Sequence, residues 1–230
     1  MSSLDADVGA PQSHIVAITA GSLRDQVRRS LEAAMVAGEL KPGELYSAPA
    51  LGERFGVSAT PVREAMLDLA KDGFVVAERN RGFRVVEMSD ADLDEICDIR
   101  LLLEVPTTVQ VAKTITSEVL DQLSGIADEI VAAAARGDLI DYLDSDRRYH
   151  VLLISQLGND RLTELVDRMR RQTRLFGLVA LVESGVLVSS AEEHRVLIEA
   201  MRARDTAATK TLIRSHIKHI RGLWVGRDEK

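Results

Sequence analysis

Cysteine is almost missing from this 230-residue chain, and aromatic residues amount to only 3% of it. The lone Cys97 excludes an intramolecular disulfide and fits a reducing compartment, with burial as a small hydrophobe as its default role. Few aromatics beside abundant Leu, Val, Ala and Ile favour packed helices over an aromatic-rich sandwich. No apolar run approaches the roughly 20 residues of a membrane helix, and no basic-then-apolar leader opens the chain. A soluble, unprocessed, cytoplasmic protein is therefore expected. Also lacking are the metalloprotease pattern HExxH, a phosphate-binding glycine loop and an obvious nucleophile–base pair, which argues against an enzyme.

An excess of basic charge is missing too. The formal charge is −7, with ten basic and ten acidic groups in residues 21–88 and nineteen against twenty-four in residues 89–230. Charge alone neither establishes nor excludes DNA binding, so the question passes to where particular arginines point.

What is present falls into three parts. Residues 1–20, with Gly9, Pro11, Ser2, Ser3 and Ser13, are expected to form a mobile lead-in. Residues 21–88 read as a small domain. Leu23, Val27, Leu31 and Met35 recur every four residues on one face of a first helix, and a second short helix is expected over Ala48 to Phe55, burying Leu51 and Phe55. In the stretch GVSATPVREAM at 56–66, Gly56 permits a turn, Thr60 is a candidate cap, and Pro61 suits the first helical position. A third helix should run from there to about Asp72 and bury Val62, Ala65, Met66 and Leu69. Two strands, FVVAE at 74–78 and FRVVE at 83–87, flank the turn RNRG at 79–82. Three helices and a hairpin make a winged helix-turn-helix.

Arg63 would lie in the first turn of the third helix, where a cation gains nothing from the helix dipole. In a helix-turn-helix that position faces base edges in the major groove, where arginine pairs with guanine through two hydrogen bonds. The competing reading is a surface arginine paired with Glu64 or Asp68. Arg79, Arg81 and Arg84 would decorate the wing, either along a phosphate backbone or simply as solubilising charge.

Residues 89–230 read as helix after helix, with six expected over about 90–112, 117–136, 138–157, 159–183, 190–203 and 205–225. The fold class is thus mostly α: a winged head plus a bundle of about six helices. Asp146 and His150 stand one turn apart on one helix face, while His194 and His216 lie on two other helices. Each has a plain alternative as a surface pair or a packed histidine, and spacing does not prove that the three helices converge.

The segment from LRDQVRRSLEAAMV to FRVVEMS, above all PGELYSAPALGERFGVSATPVREAMLDLAKDGFV, resembles the amino-terminal domain of the GntR superfamily of bacterial transcription regulators. RLLLE at 100–104, DSDRRYHVLLI at 144–154, SSAEEHRVLIEAMRARD at 189–205 and TLIRSHI at 211–217 resemble the FCD-type ligand-binding domain of its FadR branch, in the six-helix VanR-like form. The resemblance implies a homodimer on operator DNA, with Arg63, Thr60, Ser58, Arg79, Arg81 and Gly82 at the DNA. It also implies a divalent metal (zinc, nickel or manganese) on Asp146, His150, His194 and His216. His219 is a rival ligand. Arg100 matches an arginine near the effector cavity and would hold the carboxylate of a small organic acid, or else pair with Glu104 one turn away. Ala59 and Pro49 stand where the superfamily usually has arginine or another charged residue, which implies altered operator contacts. A metabolite-responsive repressor is the expected function; a metal-dependent enzyme and a metal-ion sensor are the alternatives.

Overall fold

The computed structural model describes residues 23–173 and 186–222. The expected lead-in, residues 174–183 of the expected fourth helix, the expected break at Ser184–Gly185, residues 223–225 of the last helix and the side chain of His219 lie outside the described residues.

The head is built on three helices, α1 (Leu23–Val36), α2 (Ala48–Phe55) and α3 (Ala59–Lys71), with strands β1 (Leu45–Tyr46), β2 (Val75–Glu78) and β3 (Gly82–Val85). The sheet is antiparallel in the order β1-β3-β2, with Leu45 opposite Arg84 and Val75 opposite Val85. The two-residue β1 was not expected; nothing so short has a period to read. Val27, Leu31, Met35, Leu51, Val62, Met66, Leu69, Val75 and Phe83 are buried together, the apolar face anticipated for α1 and α3 closing on the hairpin, except that Leu23 at the start of α1 is 50% exposed. Phe55 is only half-buried and packs against the edge of this core.

The helix-turn-helix corrects the expected capping. Ser58, not Thr60, is the N-cap of α3, and its side chain makes no cap hydrogen bond. Pro61 is consequently the third helical residue, where its missing N–H still costs no intrahelical bond. The wing turn places Asn80 at φ 59° and Gly82 at φ 133°. At Gly82 a Cβ would lie 2.4 Å from the carbonyl oxygen of Tyr46, so β1 can approach β3 only because no side chain stands there.

The bundle consists of α4 (Asp90–Ala112), α5 (Ser117–Arg136), α6 (Leu139–Ser155), α7 (Asp160–Thr173), α8 (Leu187–Arg202) and α9 (Thr206–Gly222). Sequence cues fix several ends: a Ser89/Asp92 capping box starts α4, Thr116 caps α5, Asp138 caps α6, and Gly137 closes α5 in the left-handed region. α8 begins three residues before its expected start. Leu123, Ala127, Ile130, Tyr149, Leu153, Leu197, Met201, Ile213 and Ile217 form the core, and Val36 at the end of α1 joins it, so the first helix of the head is anchored in the bundle. Leu102 of α4 points away from this core and is 74% exposed. The described residues are mostly helical, as the composition suggested.

Candidate functional site

α6 supplies Asp146 and His150 one turn apart, and α8 and α9 each bring one histidine to the same point. His150 Nε2 lies 3.2 Å from His194 Nε2 and 3.1 Å from His216 Nε2. Asp146 Oδ1 lies 3.1 Å from His194 Nε2 and 3.7 Å from His150 Nε2. One ligand atom from each of the four side chains falls within 4.8 Å of all the others. His150 and His194 are each 1% exposed.

The outward nitrogens explain why the inward ones meet. His194 Nδ1 bonds the Ala191 carbonyl oxygen at 3.0 Å, and His216 Nδ1 bonds Glu193 Oε2 at 2.8 Å. Oxygen acceptors at Nδ1 turn the Nε2 atoms of His194 and His216 inward, where each can offer its lone pair to an ion that displaces the Nε2 proton. His150 Nδ1 is buried without a hydrogen-bond partner, and a cation between the three Nε2 atoms would take a lone pair from each ring. Tetrahedral coordination at 2.0–2.1 Å separates ligand nitrogens by about 3.3 Å, close to the spacing of this set. The donor set therefore fits a divalent transition metal.

The electrostatics point the same way. Burial alone would raise the Asp146 carboxyl, but the hydrogen bond with His194 and the charge of Arg170 outweigh it and hold the group well below the usual carboxylate range. Burial pushes His150 far down, with Arg170 adding to the effect. Burial also lowers His216, against the opposing pull of Glu193. An ionised Asp146 beside His150 and His216 kept neutral suits metal binding, which needs deprotonated ligands.

Beside the cluster lies a buried charged network. Arg100 Nε donates to Glu104 Oε1 at 2.6 Å, so the ion pair expected one turn apart on α4 is formed. Arg100 Nη2 is nonetheless buried without a hydrogen-bond partner. Arg170 of α7 donates through Nε to Glu104 Oε2 at 3.1 Å and through Nη1 to Asp146 Oδ2 at 3.3 Å. Burial would raise Glu104, yet Arg100 and Arg170 together keep its carboxyl low. Sequence reasoning missed Arg170, which sits in the basic run RMRR. The available signal was its register: Leu162, Val166 and Arg170 recur every four residues on the inward stripe of α7, and Val166 and Arg170 are buried.

On the head, Arg63 is exposed on α3 and makes no ion pair among the described residues. Of the two partners offered by the competing reading, Glu64 and Asp68, the second is engaged elsewhere, since Asp68 accepts from Arg24 Nε at 2.6 Å and Lys71 Nζ at 3.2 Å. Arg63 lines a cleft of about 660 Å³ between α3 and the wing, with Pro49, Leu67, Arg79, Arg81 and Gly82. Ser58 and Thr60 are exposed at the amino end of α3. Arg79 is exposed, and Arg81 pairs with Glu78 at 2.8 Å. Arg84 departs from the expected wing decoration. Its Nε donates to Glu78 at 2.6 Å and its Nη1 to the Gly43 carbonyl at 2.6 Å, which ties the hairpin to the loop before β1.

Residues 23–85 match the family described as "Bacterial regulatory proteins, gntR family", and residues 95–219 match the FCD domain. The chain is 27% identical over 186 residues to the HTH-type transcriptional regulator McbR of Escherichia coli, covering 80% of this chain and 84% of McbR. It is 28% identical over 205 residues to the HTH-type transcriptional repressor RspR of Escherichia coli, covering 86% and 87%. The solved structure of E. coli McbR/YncC superposes with a TM-score of 0.70 at 25% identity, covering 89% of this chain and 98% of that one.

Proposed function

The chain belongs to the gntR family of bacterial regulatory proteins and carries an FCD domain, and on that footing we propose that it is a repressor that binds operator DNA as a homodimer and senses a small organic acid beside a metal. That it is a transcriptional regulator of the GntR/FCD type follows from the family. The division into a head over residues 21–88 and a sensor over 89–230, the ligand set, the DNA contacts and the effector are our reading.

The observation that carries the sensor reading is the meeting of three Nε2 atoms and one carboxylate oxygen inside the bundle. Asp146, His150, His194 and His216 would hold the ion, and coordination above four would leave it a position for a carboxylate oxygen of the effector. Zinc, nickel and manganese all suit a three-imidazole, one-carboxylate set. Arg100 would orient the effector: its Nε is committed to Glu104, while the buried Nη2 has a donor left over for an anion. Glu193 and the Ala191 carbonyl keep the His216 and His194 rings turned inward. On the head, Arg63 would read a guanine and Arg79 would meet phosphate, with Ser58, Thr60, Arg81 and Gly82 alongside. The enzyme alternative is not favoured, since the named relatives are transcription regulators.

The test is a gel shift with DNA upstream of the chain's own gene, using zinc-loaded protein and a panel of small hydroxy- and dicarboxylic acids. Specific retardation released by one acid supports the proposal. Retardation that responds to metal and to no acid favours the metal-ion sensor instead.

A further inference from the structure

Two consecutive arginines of α7 face different parts of the molecule. Arg170 reaches into the bundle, to Glu104 and to Asp146 Oδ2. Arg171 reaches to the head, where its Nη1 donates to Asp72 Oδ1 at 2.9 Å while its Nη2 bonds Asp167. Asp72 is the C-cap residue of α3, the helix that presents Arg63. The other oxygen of Asp72 accepts from Arg28 of α1 at 3.0 Å. Asp167 in turn accepts from Arg147 Nε and Nη2 at 2.6 and 3.1 Å, and Arg147 is the chain neighbour of Asp146. Two carboxylates, 14% and 11% exposed, are thus shared by three arginines drawn from α1, α6 and α7. Such a shared, partly buried network holds geometry better than an isolated surface pair.

We propose that α7 couples the Asp146/histidine cluster to the DNA-reading helix, with Arg171 as the positioning residue that carries the shift to Asp72. The inference rests on the reading of the cluster as a metal centre and of α3 as the DNA-reading helix. Asp146 Oδ1 faces the histidines while its Oδ2 accepts from Arg170 Nη1 at 3.3 Å, so a cation on Oδ1 draws charge from the carboxylate that holds Arg170 and weakens that contact. Arg171 belongs to the same rigid turn of helix and moves with it. Asp72 lies at the end of α3, so a displacement there turns the helix that carries Arg63.

The experiment measures thermodynamic coupling in the full-length protein, with zinc alone as the ligand. The DNA is a duplex enriched from a random pool by zinc-loaded wild type. Its dissociation constant is measured for chelator-stripped and zinc-loaded protein, and zinc affinity is measured by chelator competition. The expected result is a zinc-dependent change in DNA affinity on the order of tenfold in wild type. In Arg171→Ala it shrinks to less than about twofold, while zinc affinity without DNA is unchanged. A merely structural role for Arg171 would lower stability and leave the ratio intact. Asp72→Asn breaks the same contact from the other side and gives the same loss of coupling, which guards against misfolding of one variant.

A second readout needs no DNA. Hydrogen exchange of residues 68–74 should respond to zinc in wild type and not in Arg171→Ala. An unchanged ratio and an unchanged exchange response in both variants, or no zinc effect in wild type, overturns the proposal. Failure of wild type to enrich any duplex counts against the regulator reading instead, and hydrogen exchange then decides the coupling by itself.

Discussion

His150 and His194 face each other Nε2 to Nε2 at 3.2 Å, both buried. Neither ring can relieve the contact with water, so a cation shared between them stabilises the folded state that holds them together. A ligand bound only by the folded state adds about 2.7 kcal/mol when present at 100 times its dissociation constant. Zinc should therefore raise the melting temperature of chelator-stripped protein, and His150→Ala should remove most of the increment. Differential scanning calorimetry checks this; an equal rise in the variant would contradict the ligand set.

The metal-free protein should lose stability in mild acid. Burial lowers His150 and His216 in the folded state, whereas an unfolded histidine titrates near its ordinary 6.5. As pH falls through 6.5 the unfolded chain takes up protons that the folded chain refuses, so stability is full above that value and declines below it. Asp146 works in a lower window, because a carboxyl held below its ordinary 3.8 keeps its contribution until the medium is far more acidic. Urea midpoints of stripped protein should thus fall between pH 7 and pH 5, with a slope of up to about 1.4 kcal/mol per pH unit for each histidine. A midpoint that rose on acidification would refute the assignment of neutral, buried imidazoles.

Glu193 bonds His216 Nδ1 at 2.8 Å, the ring nitrogen away from the proposed metal. Removing its charge should loosen the ring and reduce its basicity. Glu193→Gln is expected to weaken metal affinity about 10- to 100-fold. Competition with a chromophoric chelator reads this directly, and an affinity equal to wild type would mean that His216 needs no orienting partner.

Much of the fold was legible because its elements are long and carry the right period. α1 and α3 show apolar residues every three or four positions, and the bounds expected for α4 and α5 are those observed. The two-residue β1 was invisible, since it exists only by pairing with β3. Asp146 and His150 were legible as one helix face; that His194 and His216 lie with them depends on how α6, α8 and α9 pack, which only the resemblance suggested. Arg170 was not singled out because its partner Glu104 stands 66 residues away in the chain. Arg84 failed in the opposite direction, because a hairpin arginine looks exposed until the loop carbonyl of Gly43 is beside it.

Gly82 offers a test of the wing separate from any DNA contact. A Cβ there would sit 2.4 Å from a backbone oxygen that cannot swing aside, and φ of 133° is costly for any other residue. Gly82→Ala should cost on the order of 1–3 kcal/mol and part β1 from β3. Gly125, inside α5 with nothing near its missing Cβ, is the control. Gly125→Ala should stabilise by up to about 1 kcal/mol. Equal melting temperatures for the two variants would mean that the wing tolerates the crowding.

Arg63 and Arg79 should fail differently when truncated. Arg63 is exposed in the cleft between α3 and the wing and makes no ion pair among the described residues, so Arg63→Ala should leave the melting temperature unchanged. If Arg63 reads a guanine, its loss costs about 1–3 kcal/mol of binding to the preferred duplex and relaxes discrimination at one base pair of each half-site. Arg79, at the tip of the wing, would meet phosphate, so Arg79→Ala should weaken binding to all sequences alike and reduce the salt slope by about one. Fluorescence anisotropy on preferred and scrambled duplexes at several salt concentrations separates the two patterns. Uniform weakening from both substitutions would assign Arg63 to the backbone and leave base recognition to the exposed Ser58 and Thr60 at the start of α3.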